Sequence, residues 1–302
     1  MRALAEVPDL RVEVGAVRLG NPVIPASGTF GLGHGRILPL SRLGALVPKT
    51  VMPTPRPGHP PRRLAEAAGG LINAIGIPSA GFDDFLRDAL PRWLAHGPPV
   101  IVSVSADSAD GFAAMASRLD ASGAAAIELN LSCPNLEEGG RAFALDPAPT
   151  AQVTSACRRA CALPLWCKLS PNAAAPADVA RAAAAAGADA LVVANTLTAL
   201  ALADGRPVLA NRTGGLSGMP LKPINLRLVD DVARAVALPI VGCGGIATFT
   251  DALDYFAVGA SAVAVGTATL SRPLAMVHLI DALERHCAER GIRARDLIRS
   301  GR

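Results

Sequence analysis

Short apolar runs rich in β-branched residues recur along this chain, most of them closing on Gly, Ser, Thr, Asn or Lys. They cover residues 22–27, 45–50, 100–106, 126–131, 165–170, 190–196, 239–244 and 261–267. Their apolar character is continuous rather than alternating, which marks strands buried on both faces, as in a parallel sheet. Between most of them the polarity takes on a helical period, clearest over 111–122, 149–162, 177–186, 222–237 and 250–258. Three of the helical intervals run into Gly-Ala (Gly123-Ala124, Gly187-Ala188, Gly259-Ala260), a glycine C-cap that leads straight into the next strand. Eight strand–helix units predict an α/β fold, a single (β/α)8 (TIM) barrel over residues 1–302, since a doubly wound sheet would not need eight. The intervals 51–99 and 197–238 are long for barrel connections, so they predict inserted loops at the C-terminal face of the strands.

Composition narrows the choices. Apolar residues are 51% of the chain, charged residues 18% and aromatics 3%, which excludes disorder and base-stacking platforms. The net charge of +4 is spread along the chain, so no nucleic-acid partner is expected, while a small anionic ligand is comfortable. Residues 1–10 hold no apolar signal core, and no run approaches the roughly 20 apolar residues that span a bilayer. A cytoplasmic protein without a membrane partner is the expectation. The six cysteines form no CxxC pair and the five histidines no HxxxH pair, so no metal site is predicted and most thiols should be packing residues. Only Lys49, Lys168 and Lys222 among the 29 basic residues are lysine. A lysine kept against such an arginine bias suggests a need for a compact ammonium.

In a barrel, chemistry gathers where the strands end. Those ends supply Ser27, Lys49, Thr50, Ser103, Asn130, Cys133, Lys168, Asn195, Thr196, Gly244, Gly245, Gly266 and Thr267. The glycines closing the seventh and eighth predicted strands suit a phosphate, because they let backbone N–H groups approach an anion and the next helix adds its positive end. Lys168, inside an apolar strand, suits either a Schiff-base nucleophile or a fixed cation beside a cofactor that gains negative charge. The segment Asn130-Leu131-Ser132-Cys133-Pro134-Asn135 sets a thiol between two carboxamides, which can donate and accept together at an amide or imide edge. Asn73 and Asn195 occupy matching places, and the glycine-rich stretch 136–140 has the composition of a movable lid.

These segments, with Leu209-Ala210-Asn211 and residues 213–218, give a chain that resembles the dihydroorotate dehydrogenases over about 12–273, most closely the class 1B catalytic subunits. The resemblance implies oxidation of dihydroorotate to orotate in pyrimidine biosynthesis, with one FMN per chain. It assigns Lys49, Asn73, Ala74, Ile75, Gly76, Ile77, Asn130, Asn135, Asn195 and Thr196 to the substrate. To FMN it assigns Ser27, Lys49, Thr50, Ser103, Asn130, Lys168, Ala194, Gly218, Gly244, Gly245, Gly266 and Thr267. Cys133 takes the position of the base that removes the C5 proton, while the C6 hydride passes to flavin N5. Class 2 enzymes resemble this pattern with serine at that position and an N-terminal helical extension. Class 1B further implies a homodimer joined by an electron-transfer subunit carrying FAD and an iron–sulfur cluster, in a heterotetramer that reduces NAD. Class 1A would instead be a fumarate-using homodimer. Ser103 stands where the 1B pattern has asparagine, Arg212 replaces a glycine, and Val51 and Met52 replace threonines. Competing readings are a dihydropyrimidine (dihydrouracil) dehydrogenase subunit, a Schiff-base aldolase using Lys168, and a non-catalytic FMN-binding protein.

Overall fold

A computed structural model describes residues 8–67, 69–132 and 142–298. An N-terminal hairpin pairs β1 (Val12–Val14) with β2 (Val17–Leu19); its buried–exposed–buried pattern lays one apolar face on the rest of the molecule. The first barrel strand, β3 (Val23–Pro25), is fully buried. The interval 51–99 carries β4 (Leu64–Ala67) and β5 (Gly70–Asn73). The barrel continues through β6 (Ile101–Val104), β7 (Ala126–Asn130), β8 (Leu165–Lys168) and β9 (Ala190–Val193). The interval 197–238 then holds β10 (Leu197–Ala199), β11 (Leu202–Ala203), β12 (Arg206–Pro207) and β13 (Gly214–Gly218). Last come β14 (Ile240–Cys243) and β15 (Ala262–Val265).

Seven of these strands form one parallel sheet in the order β3-β15-β14-β9-β8-β7-β6. All seven are buried along their whole length, as their unbroken apolar runs require. The eighth expected strand, 45–50, is a correction to the sequence reading: it forms no regular ladder. It joins β6 through single parallel bridges at Leu46 and Val51. Even so, it closes the barrel, because Gly44 donates to the Val23 carbonyl at one edge while Leu46 and Val51 bond the Pro99 and Ser103 carbonyls at the other. The first strand–helix unit departs as well. Only two 3-10 turns, Leu32–Arg36 and Leu40–Arg42, connect β3 to the closing segment.

The helical layer follows the predicted pattern, with starts at recognisable signals. Ser108 caps Ala109–Leu119 and Thr248 caps Phe249–Ala257, while Pro147–Ala160, Pro176–Ala185 and Lys222–Ala235 carry proline in their first turn. Gly187 and Gly259 adopt positive φ and end their helices with bonds from the Ala188 and Ala260 N–H groups back to Ala183 and Tyr255, so the glycine caps are as expected. One continuous apolar cluster fills the barrel and the shell under these helices.

Both long intervals contain strands, and these pair with each other. The order β10-β13-β5-β4 makes a four-stranded antiparallel sheet in which Asn73 faces Gly215. The two insertions thus form a single wall over the strand ends. Among the described residues no helix is long and apolar enough to cross a membrane.

Barrel closure depends on a close backbone approach at Gly44. A Cβ there would fall 2.0 Å from the Asn21 carbonyl oxygen, whose own side chain bonds the Val23 N–H and the Arg42 carbonyl. Gly44→Ala should destabilise the fold by about 3 kcal/mol, because backbone, not a flexible side chain, would have to move. The denaturant midpoint checks this.

Candidate active site at the barrel mouth

The strand ends and the insertion wall enclose a cavity of about 620 Å³, within the range of cofactor and ligand pockets. Ser27 follows β3, Lys49 and Thr50 come from the closing segment, Asn130 ends β7, Lys168 ends β8, and Ala194, Asn195 and Thr196 follow β9; all eight line the cavity. So do Asn73 through Ile77 and Gly218 from the wall, and Gly244, Gly245, Gly266 and Thr267 from the turns after β14 and β15. Residues scattered over more than two hundred positions therefore meet at one mouth. Cys133, Asn135 and the stretch 136–140 lie outside the described residues.

Ser103 is the exception among the described candidates. It is fully buried and stands behind Thr50 instead of facing the cavity. Its hydroxyl donates to Glu128 Oε1 at 2.8 Å, so at 2.9 Å from Thr50 Oγ1 it must accept the Thr50 proton. Asn130 Nδ2 donates to Thr50 at 3.1 Å, and Ser132 donates to Asn130 Oδ1 at 3.0 Å while accepting from Asn195 Nδ2 at 2.6 Å. These bonds form one continuous chain across the floor of the site. The Asn130 carbonyl is fixed separately by Ser105.

Lys168 donates to Ser27 Oγ at 3.0 Å and lies 3.9 Å from Glu128 Oε1, both charged groups being 5% exposed. Lys49 sits on the neighbouring Ala26–Thr29 side, where a Cβ on Gly28 would come 3.7 Å from its ammonium. The described lining thus offers three cations, Lys49, Lys168 and Arg272, and five carboxamides, Asn73, Asn130, Asn172, Asn195 and Asn211, a set matched to a ligand with anionic and imide-like edges.

The glycine turn after β14 is held from behind by a helix. Gly244 and Gly245 have φ of +125° and +67°, and a Cβ would strike Asn225 at 2.2 Å or Lys222 at 2.7 Å. Glycine is needed there by the helix packed behind it as much as by a ligand. Tyr255 Oη donates to the Gly244 carbonyl at 2.6 Å and Asn225 Nδ2 to the Cys243 carbonyl at 2.6 Å. Because the peptide is planar and trans, anchoring the Gly244 carbonyl turns the Gly245 N–H to the opposite side. The start of the following helix is already occupied, since Asp251 Oδ2 accepts from the Ala247 and Thr248 N–H groups at 3.0 and 2.8 Å. Those two N–H groups are thus already bonded within the chain. Lys222 is bound by Asp251 and Asp254 at 2.5 and 2.7 Å, so the third lysine braces the turn and does not line the cavity.

Cys157, Cys161, Cys167 and Cys287 are buried packing residues, as expected. Burial pushes the Cys157 and Cys167 thiols up to about 12. Cys243 also lines the cavity, but burial raises its thiol despite the nearby Lys168, leaving it a poor base. Sequence reasoning missed Glu128, Tyr255, Asn225 and the cavity residues Asn172 and Ser217. Asn172 had a signal in Lys168-Leu169-Ser170-Pro171-Asn172, and it accepts from the Thr198 N–H at 2.9 Å. Among the described residues no cluster of His, Cys, Asp or Glu is arranged to hold a metal ion.

A family model described as dihydroorotate dehydrogenase matches residues 9–286. The chain belongs to the dihydroorotate dehydrogenase family. It is 46% identical to the dihydroorotate dehydrogenase B (NAD(+)) catalytic subunit of Trichlorobacter lovleyi, over 94% of this chain and 95% of that one. The protein of the same name from Pelobacter propionicus is 44% identical over 96% and 98% of the two chains. A crystal structure of the Eimeria tenella enzyme in complex with ferulenol matches with a TM-score of 0.78 at 24% identity. That match covers 98% of this chain and 89% of the other, and it supports the family's barrel fold.

Asp251 links this site to stability. Burial alone would raise its carboxyl, but hydrogen bonds from Lys222, Thr248 and the Ala247 and Thr248 N–H groups outweigh it and hold the group below the usual carboxylate range. A carboxyl depressed in the folded state adds stability above the unfolded value of about 3.9, and that stability is lost as pH falls through the lower folded value. Asp251→Asn should therefore lower the urea midpoint at pH 7, and its deficit against the wild-type chain should shrink below about pH 4.

Proposed function

We propose that this chain oxidises dihydroorotate to orotate in pyrimidine biosynthesis, using FMN held in the barrel-mouth cavity. The observation that carries this reading is the convergence of Lys49, Lys168, Asn73, Asn130 and Asn195 with the glycine turns of β14 and β15 on one cavity. The names of the relatives support the same activity.

The donor set fits FMN. Gly244, Gly245, Gly266 and Thr267 would hold the phosphate, in turns that a Cβ could not enter at Gly244 and Gly245. Ser27, Thr50, Asn130, Lys168, Ala194 and Gly218 would line the ring system. Ser103 would act through Thr50, not by contact. When bound, FMN supplies the acceptor for the hydride that leaves C6.

The chain's own residues do the rest. Lys49 offers a compact cation for the substrate carboxylate, and Asn73, Asn130, Asn195 and Thr196, with Asn135, offer donors and acceptors for the pyrimidine edges. Residues 74–77 shape the wall beside them. Cys133 removes the C5 proton; a thiol of ordinary pKa, about 8.5, has a useful thiolate fraction near neutral pH. The relatives' names as NAD(+)-type catalytic subunits support a partner subunit and NAD as the electron acceptor. As the resemblance implies, that partner would carry FAD and an iron–sulfur cluster, with two copies of each chain.

The rival readings have less support. Dihydrouracil carries no carboxylate, and so makes no use of the Lys49 cation that lines the cavity. A Schiff-base role is disfavoured for Lys168, whose contacts with Ser27 and Glu128 suit a fixed ammonium.

The purified chain should be yellow, bleach on anaerobic addition of dihydroorotate, and be inhibited by orotate more than by uracil. Cys133→Ala should stay folded and yellow while flavin reduction slows by roughly 10²–10⁴-fold, as for loss of a general base. Stopped-flow absorbance measures this, and an unchanged rate would remove Cys133 from the mechanism.

A further inference from the structure

Glu128 is the one acidic side chain buried in the strands of the barrel floor among the described residues, and the mechanism above gives it no part. It lies on β7 two positions before Asn130, so both side chains point to the same face. The strand register sets Glu128 opposite Trp166 and Asn130 opposite Lys168, which places Glu128 one layer below the cavity-lining pair. It accepts from the Ser103 hydroxyl at 2.8 Å and lies 3.9 Å from the Lys168 ammonium. The second distance is an ion pair without a hydrogen bond.

A buried ion pair of this kind is weak support for stability, and apolar side chains of similar volume often serve a core as well or better. A carboxylate kept in such a place points to the site it adjoins. Two consequences of its position bear on that site. First, Lys168 alone would set a full positive charge against the cavity, and Glu128 offsets it. Second, an ionised carboxylate can only accept. It therefore takes the Ser103 proton, Ser103 must take that of Thr50, and Thr50 is left to accept from Asn130, which turns the Asn130 carboxamide nitrogen toward Thr50 and its oxygen toward Ser132.

We propose that Glu128 is a positioning residue for the flavin reaction: it moderates the charge that Lys168 presents to the cofactor and anchors the hydrogen-bond chain that orients Asn130. This rests on the FMN reading above. Reduced flavin carries more negative charge than oxidised flavin, so a Lys168 freed from Glu128 stabilises the reduced form further.

The experiment measures the midpoint potential of the flavin bound to the full chain. Glu128→Gln keeps the shape and removes the charge; the expected result is a reduction equilibrium shifted at least tenfold toward the reduced form, about 30 mV more positive for a two-electron couple. Glu128→Asp keeps the charge and alters the shape, and should shift the potential by much less. A side chain that merely fills space would give the reverse order, so an unchanged potential in Glu128→Gln, or an equal shift in Glu128→Asp, overturns the proposal. If Glu128→Gln does not fold, Glu128→Met, an apolar side chain of similar volume, carries the same measurement. A shift of at least tenfold toward the reduced form is again expected, and an unchanged potential overturns the proposal. A wild-type chain that takes up no flavin would instead overturn the cofactor reading, and this inference with it.

Discussion

Strands buried on both faces leave a parallel sheet with two edges whose backbone groups must still be bonded. Here the sheet edges are β3 and β6, and the short segment from Gly44 to Val51 bonds to both. The segment cannot be a regular strand. Pro48 has no N–H to give, and the bridges fall only at Leu46 and Val51, either side of it. Lys49 and Thr50 occupy that gap and line the cavity. Closure and chemistry are thus parts of one arrangement. The irregular stretch that completes the barrel also delivers a cation and the hydroxyl that meets Asn130.

The parallel strands were legible because burial on both faces leaves an unbroken apolar signature, and the helices because their caps are local. The insertion wall was not legible. Its central strand reads Gly-Gly-Leu-Ser-Gly, which has no intrinsic strand preference, and it becomes a strand only by pairing with β5 from the other insertion, far away in sequence. The first helix of the barrel failed for a related reason: the stretch 28–44 is rich in glycine and supports only 3-10 turns.

Site residues divide along the same line. Those at strand ends could be found by topology alone, and all but Ser103 of the described candidates reach the cavity. Apart from Asn172 and Ser217, which line the cavity, the residues that were missed act one layer back. Tyr255 and Asn225 sit on helices and hold the carbonyls of the glycine turn, while Glu128 lies inside an apolar run with its charge facing inward. No spacing pattern marks such residues, because what defines them is a neighbour brought close by folding.

Two of the three lysines show what this second layer does. Lys222 is clamped between two aspartates, and Lys168 is held by Ser27 from one side and Glu128 from another. The longer guanidinium of arginine would need a wider nest and would spread its donors over a fork, whereas an ammonium presents a compact charge at one point. Cations and carboxamides held in this way are oriented before any ligand arrives. Little reorganisation then remains to be done when charge develops in the reaction, which is the condition under which electrostatic groups contribute most to a transition state.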